Sequence, residues 1–183
     1  MVTGHTVAVE RYGPGEEAAG FVPGDFILAH RHHPIAGLIS VAQRRRFRGA
    51  DAVYAHWSHS ALLVDEEGAL VEAEIAGVRR SPISRYRKDE YHLVRLGPEF
   101  SSESRRRAVA FANQQIGQGF GFLDMFGASI YLLSGWPLRL VRSGHEICSG
   151  LVVSALQAGG LVPELDPVLT LPADLAKLYD VRP

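Results

Sequence analysis

The chain has 183 residues, 46% of them hydrophobic and 21% charged, with a formal net charge of −1. That composition suits one soluble globular domain, and the near-zero charge gives no global drive toward nucleic acid or an anionic membrane. A single cysteine excludes an internal disulfide, so the fold does not depend on oxidising conditions.

Met1-Val2-Thr3-Gly4-His5-Thr6 contains neither a basic n-region nor an apolar h-region, so no secretory signal is read and a cytoplasmic location is expected. Residues 1–20 are Gly-rich and predict a short strand and a loose lead-in. Phe21 to Ala29 predicts a turn followed by a buried strand. Between Pro34 and Phe47, the spacing of Ile35, Leu38, Ile39 and Ala42 predicts a helix, which runs into Arg44-Arg45-Arg46. The strand-like runs 59–64 and 69–75 flank Asp65-Glu66-Glu67-Gly68, the pattern of a β-hairpin. Gly77-Val78 and Tyr91 to Leu96 predict further strands. Ser101 or Ser102 caps a helix that continues to about Ile116 and stops at Gly117. Residues 120–141 are unusually apolar, but their uninterrupted stretch is shorter than the roughly 20 residues that a membrane span needs. They read as a core segment, or as a wall that receives an acyl chain. The whole chain, 1–183, is expected to form one domain with an inserted helical, basic segment around 31–56.

Cys148, Leu151, Val152, Ala155 and Leu156 recur at helical spacing, and Gly159-Gly160 supplies a stop. Cys148 therefore lies in the first turn of a buried helix, at the end that favours negative charge. A free cysteine is commonly a small buried hydrophobe. A nucleophilic one needs a base within reach, and the base needs an orienting partner. The hairpin offers both. If 65–68 form the loop, Val64 pairs with Ala69, Ala61 faces Glu72, and His59 faces Glu74. Side chains alternate along a strand, so His59 and both glutamates share one face. Glu74 is then directly opposed to His59 and Glu72 is diagonal to it, and either lies within reach. A change of one or two residues in the loop decides between them.

Several short segments carry a family resemblance. Gly24-Asp25-Phe26-Ile27-Leu28, Ser58-His59-Ser60-Ala61-Leu62, Val71-Glu72-Ala73 with Gly77-Val78, and Ile147-Cys148-Ser149-Gly150-Leu151-Val152 resemble, in this order, the motifs of permuted papain-like amidases, the YiiX-type branch of the NlpC-type cysteine peptidase superfamily. The likeness extends from about residue 21 to residue 175. Ile147 stands where that family has an aromatic, and Gly150 where it has a glutamate, differences that bear on substrate contacts. The resemblance implies an α+β, circularly permuted papain-like fold, an antiparallel half-barrel packed on the helix that carries the thiol. It implies Cys148 as nucleophile, His59 as general base and Glu72 as orienting acid. The implied chemistry is acyl transfer through a thioester, on a small peptide, acyl-amide or lipid-like substrate, with no cofactor, metal or nucleic acid.

Other readings compete with this one. His30, His32, His33, His56 and His59 cluster in sequence, and imidazole suits zinc, but no cysteine lies nearby to complete a structural site. Arg44 to Arg48 beside an apolar helix face allows a peripheral membrane contact. A papain-like fold that is catalytically silent and only binds is the remaining alternative, although the joint presence of His59 and Cys148 weighs against it.

Overall fold

The structure, a computed structural model, describes residues 7–31, 40, 43–74, 76–118, 148–161, 165–167 and 169–183. It is an α+β fold. Strands β1 (Val7–Tyr12), β2 (Phe26–His30), β3 (His59–Leu63), β4 (Ala69–Glu74), β5 (Gly77–Pro82) and β6 (Glu90–Leu96) form one open antiparallel sheet in the order β1-β6-β2-β3-β4-β5. Helices α1 (Ser102–Gln114), α2 (Cys148–Ala158) and α3 (Pro172–Leu178) accompany it, with 3₁₀ helices at Gly49–His56 and Ile83–Tyr86.

The central strands β2 and β3 are buried on both faces, which is why they read as near-continuous apolar runs rather than as alternating ones. On one face Phe26, Leu28, Leu62, Val71 and Val94 join Ala108 of α1, Leu151 and Val152 of α2, and Leu175 of α3. On the other face Ile27, Ala29, Ala61, Leu63, Leu70 and Leu93 join Ala18, Ile83 and Tyr86. The sheet therefore has a helix side and a second apolar side.

The hairpin register is the one the turn implies, with Leu62 opposite Val71 and Leu63 opposite Leu70. Asp65 Oδ1 closes the turn by accepting the N–H groups of Glu67 and Ala69 at 3.0 and 2.7 Å. Gly68 takes φ +85°, and a Cβ there would stand 2.6 Å from the Phe21 ring. Ser101 caps α1 by accepting the Ser104 N–H at 3.1 Å. Of the helix expected over 34–47, residues 40 and 43–46 are helical and the remaining described residue, Phe47, follows them; the rest of that segment, and all of 120–141, lie outside the described residues. The 3₁₀ helix Gly49–His56 falls within the helical, basic segment expected around 31–56, whereas the 3₁₀ helix Ile83–Tyr86 and α3 have no counterpart in the sequence reading. Among the described residues no helix is long and apolar enough to cross a membrane.

The basic segment is anchored in the core from its inner side. Gln43 is fully buried; its Nε2 donates to Trp57 O at 2.7 Å and its Oε1 accepts from Ala173 N–H at 2.9 Å. Phe47, Tyr54, Ala55 and Trp57 belong to the helix-side core, while Arg44, Arg45, Arg46 and Arg48 are exposed.

Gly24-Asp25 has a structural reason. Gly24 takes φ +93° beneath the Arg105 side chain, and a Cβ there would come within 3.1 Å of it. Asp25 is 1% exposed and accepts Leu96 N–H at 3.0 Å and the Arg105 guanidinium at 2.6 Å, which locks β2 to β6 and α1. Asp25→Ala leaves the Leu96 N–H unpaired and strips the Arg105 guanidinium of its carboxylate, leaving it only the main-chain oxygens of Pro23, Leu96 and Phe100, so we expect a loss of about 3 kcal/mol in urea unfolding. A loss under about 1 kcal/mol would show that the network does not hold the sheet to α1.

Candidate active site

Cys148 and His59 start from opposite sides of the sheet. Cys148 opens α2, which packs on β3 and β4 from the helix side. His59 shares the face of Ala61 and Leu63, on the second apolar side. They meet because the sheet opens between them. β2 and β3 remain paired to Ala29–His59, and β4 and β5 to Glu74–Gly77, but β3 and β4 are not paired beyond Leu62–Val71. Val64 N–H still donates to Ala69 O, and two-residue alternation directs the Ser60 N–H to the same side of β3. There it finds sulfur in place of a strand carbonyl, donating to Cys148 Sγ at 3.3 Å.

His59 is 3% exposed, Cys148 1% and Glu72 fully buried. His59 Nε2 lies 2.8 Å from Glu72 Oε2, which leaves Nδ1 as the ring nitrogen that can face the Cys148 sulfur, whose charge acts on the ring. The other Glu72 partners are neutral donors: Ser81 Oγ donates to Oε1 and Tyr86 Oη to Oε2. The Tyr86 ring runs nearly parallel to that of His59, at 19° with centroids 5.9 Å apart, and the Arg31 guanidinium lies 5.5 Å from the Tyr86 centroid.

The diagonal glutamate, Glu72, is thus the one that holds His59, while the directly opposed Glu74 is taken elsewhere. Arg79, Arg31 and Arg85 approach Glu74 at 2.7, 2.9 and 3.2 Å. Three guanidiniums at the rim draw that carboxylate outward. Glu72 lies deeper and is only grazed by Arg79 and Arg85, at 3.6 and 3.8 Å.

Burial disfavours a charged His59, yet the sulfur of Cys148 and the carboxylate of Glu72 outweigh it and raise the imidazole pKa from 6.5 to about 10. Burial likewise disfavours a charged Glu72, but His59, Ser81 and Tyr86 overcome it and lower the carboxyl from 4.5 to about 2. Tyr86 is pushed well above its ordinary value by burial and by the neighbouring carboxylate, so it remains a donor. The arrangement gathers a sulfur, a protonatable ring and a fixed carboxylate, the groups that a thiol nucleophile requires.

Sequence reasoning missed Ser81, Tyr86 and Arg31. Ser81 stands opposite Leu70 and so diagonal to Glu72, which extending the hairpin count into β5 would have found. Tyr86 comes from a 3₁₀ helix with no periodic signal. The histidines considered for metal part company: His30 and His56 stack with centroids 4.1 Å apart, His59 is held as described, and His32 and His33 lie outside the described residues. Among the described residues no group of three or more His, Cys, Asp or Glu side chains is placed to hold a metal ion.

A carboxylate with a lowered pKa stabilises the fold above its ordinary value and loses that contribution as pH falls through its folded one. Glu72→Gln should therefore cost about 3 kcal/mol at pH 6, with the gap to wild type narrowing as pH falls from 4.5 toward about 2 in denaturant titrations. Ring-nitrogen NMR should show His59 doubly protonated at pH 8, well above the ordinary 6.5; a neutral ring at that pH contradicts the ion pair.

No protein-family model, curated protein or solved structure matches the chain.

Proposed function

We propose that this protein is a cysteine hydrolase or acyltransferase that cleaves an amide or ester bond through a thioester on Cys148, with a permuted papain-like fold. One observation carries the reading: the Cys148 sulfur sits in the opened β3–β4 gap beside a buried His59 whose far nitrogen is held by Glu72 at 2.8 Å. The chain order His59, Glu72, Cys148, and the position of the thiol as first residue of a helix packed on an antiparallel sheet, support the permuted fold.

The chemistry follows from the geometry. His59 takes the thiol proton through Nδ1, and Glu72 balances the resulting imidazolium. The thiolate is met by the Ser60 N–H and by the N-terminus of α2. It attacks the substrate carbonyl, and His59 passes its proton to the departing amine or alcohol. Water, or an acceptor, then attacks the thioester with His59 as base. Peptides, N-acyl amides and lipid esters are the substrate classes this chemistry serves.

The test is alkylation of the folded full chain by iodoacetamide, a reagent small enough for a buried thiol. Cys148 should react faster in the native protein than in urea, and His59→Ala should slow the native rate by about 10²-fold. Glu72→Gln should slow it less, by about tenfold. A native rate no faster than the unfolded one identifies Cys148 as packing. A panel of acyl amides, γ-glutamyl peptides and lipid esters, run against wild type and Cys148→Ala, then selects the substrate.

A further inference from the structure

The orienting side of the site is accounted for by Glu72, Ser81 and Tyr86. The oxygen side is not: an attacked carbonyl needs donors where its negative charge develops. Cys148 N–H, at the start of α2, is one. Ser60 holds an unspent second. Its residue is fully buried, and its Oγ has no hydrogen-bond partner among the described residues. It occupies a strand position whose neighbours on the same face, Leu62 of β3 and Leu28 opposite, are core residues. Folding gains nothing from a buried hydroxyl without a partner there and bears its desolvation penalty.

Placement gives the hydroxyl a use. Alternation sends Ser60 Oγ to the helix side of the sheet, the side from which α2 brings the Cys148 N–H, and His59 to the opposite side. The Ser60 main-chain N–H touches the sulfur at 3.3 Å, and its Oγ is three bonds from that nitrogen. A proton acceptor, His59, thus lies on one face of the sheet, and two donors, the Ser60 hydroxyl and the Cys148 N–H, lie on the other.

Resting on the thiol-hydrolase reading above, we propose that Ser60 is a further catalytic residue whose hydroxyl donates to the substrate's carbonyl oxygen during attack. As the Sγ–C bond forms, the carbonyl π pair moves onto oxygen, and the Ser60 O–H and Cys148 N–H hydrogen-bond to that oxyanion without giving up their protons. The pair then re-forms the C=O bond, the C–N or C–O bond breaks, and His59 supplies the proton to the leaving group.

Alkylation and acylation separate this role from any effect on the thiol. Iodoacetamide reacts at a saturated carbon and makes no oxyanion; p-nitrophenyl acetate acylates through one. In Ser60→Ala, which keeps the main-chain N–H on the sulfur, alkylation of Cys148 should remain within about twofold of wild type while acylation falls about 10²-fold. Ser60→Gly should give the same split, and the melting temperature of Ser60→Ala should equal or exceed that of wild type, since an unpartnered polar group is removed. Acylation within about threefold of wild type, or a parallel fall of both reactions, overturns the assignment. A wild-type protein inert to both reagents removes the thiol-hydrolase reading itself, whereas one that alkylates rapidly but shows no split in Ser60→Ala removes only the role of Ser60.

Discussion

A main-chain N–H that loses its strand partner must find another acceptor, and the geometry around Cys148 follows from where the Ser60 N–H finds one. If β3 and β4 stayed paired to their ends, the sheet would be a continuous wall between the helix side and the second apolar side. A thiol carried by α2 and an imidazole on the far face could not touch. The pairing ends at Leu62–Val71, and the gap admits one sulfur. The cost of the lost ladder bonds is moderated because sulfur accepts one of the freed donors, and a thiolate accepts better than a thiol.

The same opening sets the electrostatics. A carboxylate as deeply buried as Glu72 is tolerated only when its oxygens are fully engaged. Glu72 meets that condition with His59 and Tyr86 on Oε2 and Ser81 on Oε1. Two of those donors are neutral and stay protonated, and together with the His59 ring they keep the carboxylate an anion. This is a device for holding charge in place rather than for stability alone, because apolar residues of similar volume would fill the space with no desolvation cost.

Much of this was legible in the sequence where geometry is periodic. Strand alternation and a turn with Asp65 and Gly68 at its ends fix the hairpin register, and the register alone puts His59 on the face of both glutamates. Helical spacing placed Cys148 at a helix start, and Ser101 announced α1. The choice between Glu72 and Glu74 was not legible, because it is made by Arg31, which follows β2, by Arg79 on β5 and by Arg85 from the 3₁₀ helix. Each comes from a separate element, and no window of sequence contains their convergence. The splaying of β3 from β4 was hidden for the same reason: local propensity continues both strands to their ends, and only the arrival of α2, more than 70 residues later in sequence, gives the gap something to hold. The core role of residues 43–57 was masked by composition, since Arg44-Arg45-Arg46 reads as a solvated face while Gln43, Phe47, Tyr54 and Trp57 turn inward.

Cys148 is almost fully buried, as a packing cysteine would be, so a nucleophilic role rests on the charges around it. Arg31, Arg79 and Arg85 face Glu72, Glu74 and Asp89, with Arg31 3.8 Å from Asp89, so the three cations and three carboxylates balance. A protonated His59 adds a fourth positive charge to this balanced set. Moving a proton from sulfur to ring leaves the total unchanged. It places the new positive charge against Glu72, and the new negative charge against the Ser60 N–H and the first turn of α2, the two features on the helix side that favour an anion. A neutral thiol and a neutral ring would leave Glu72 without its nearest cation and the Ser60 N–H on a weak acceptor. In the reading proposed, each charge that the transfer creates meets its complement, the positive one at Glu72 and the negative one at the Ser60 N–H.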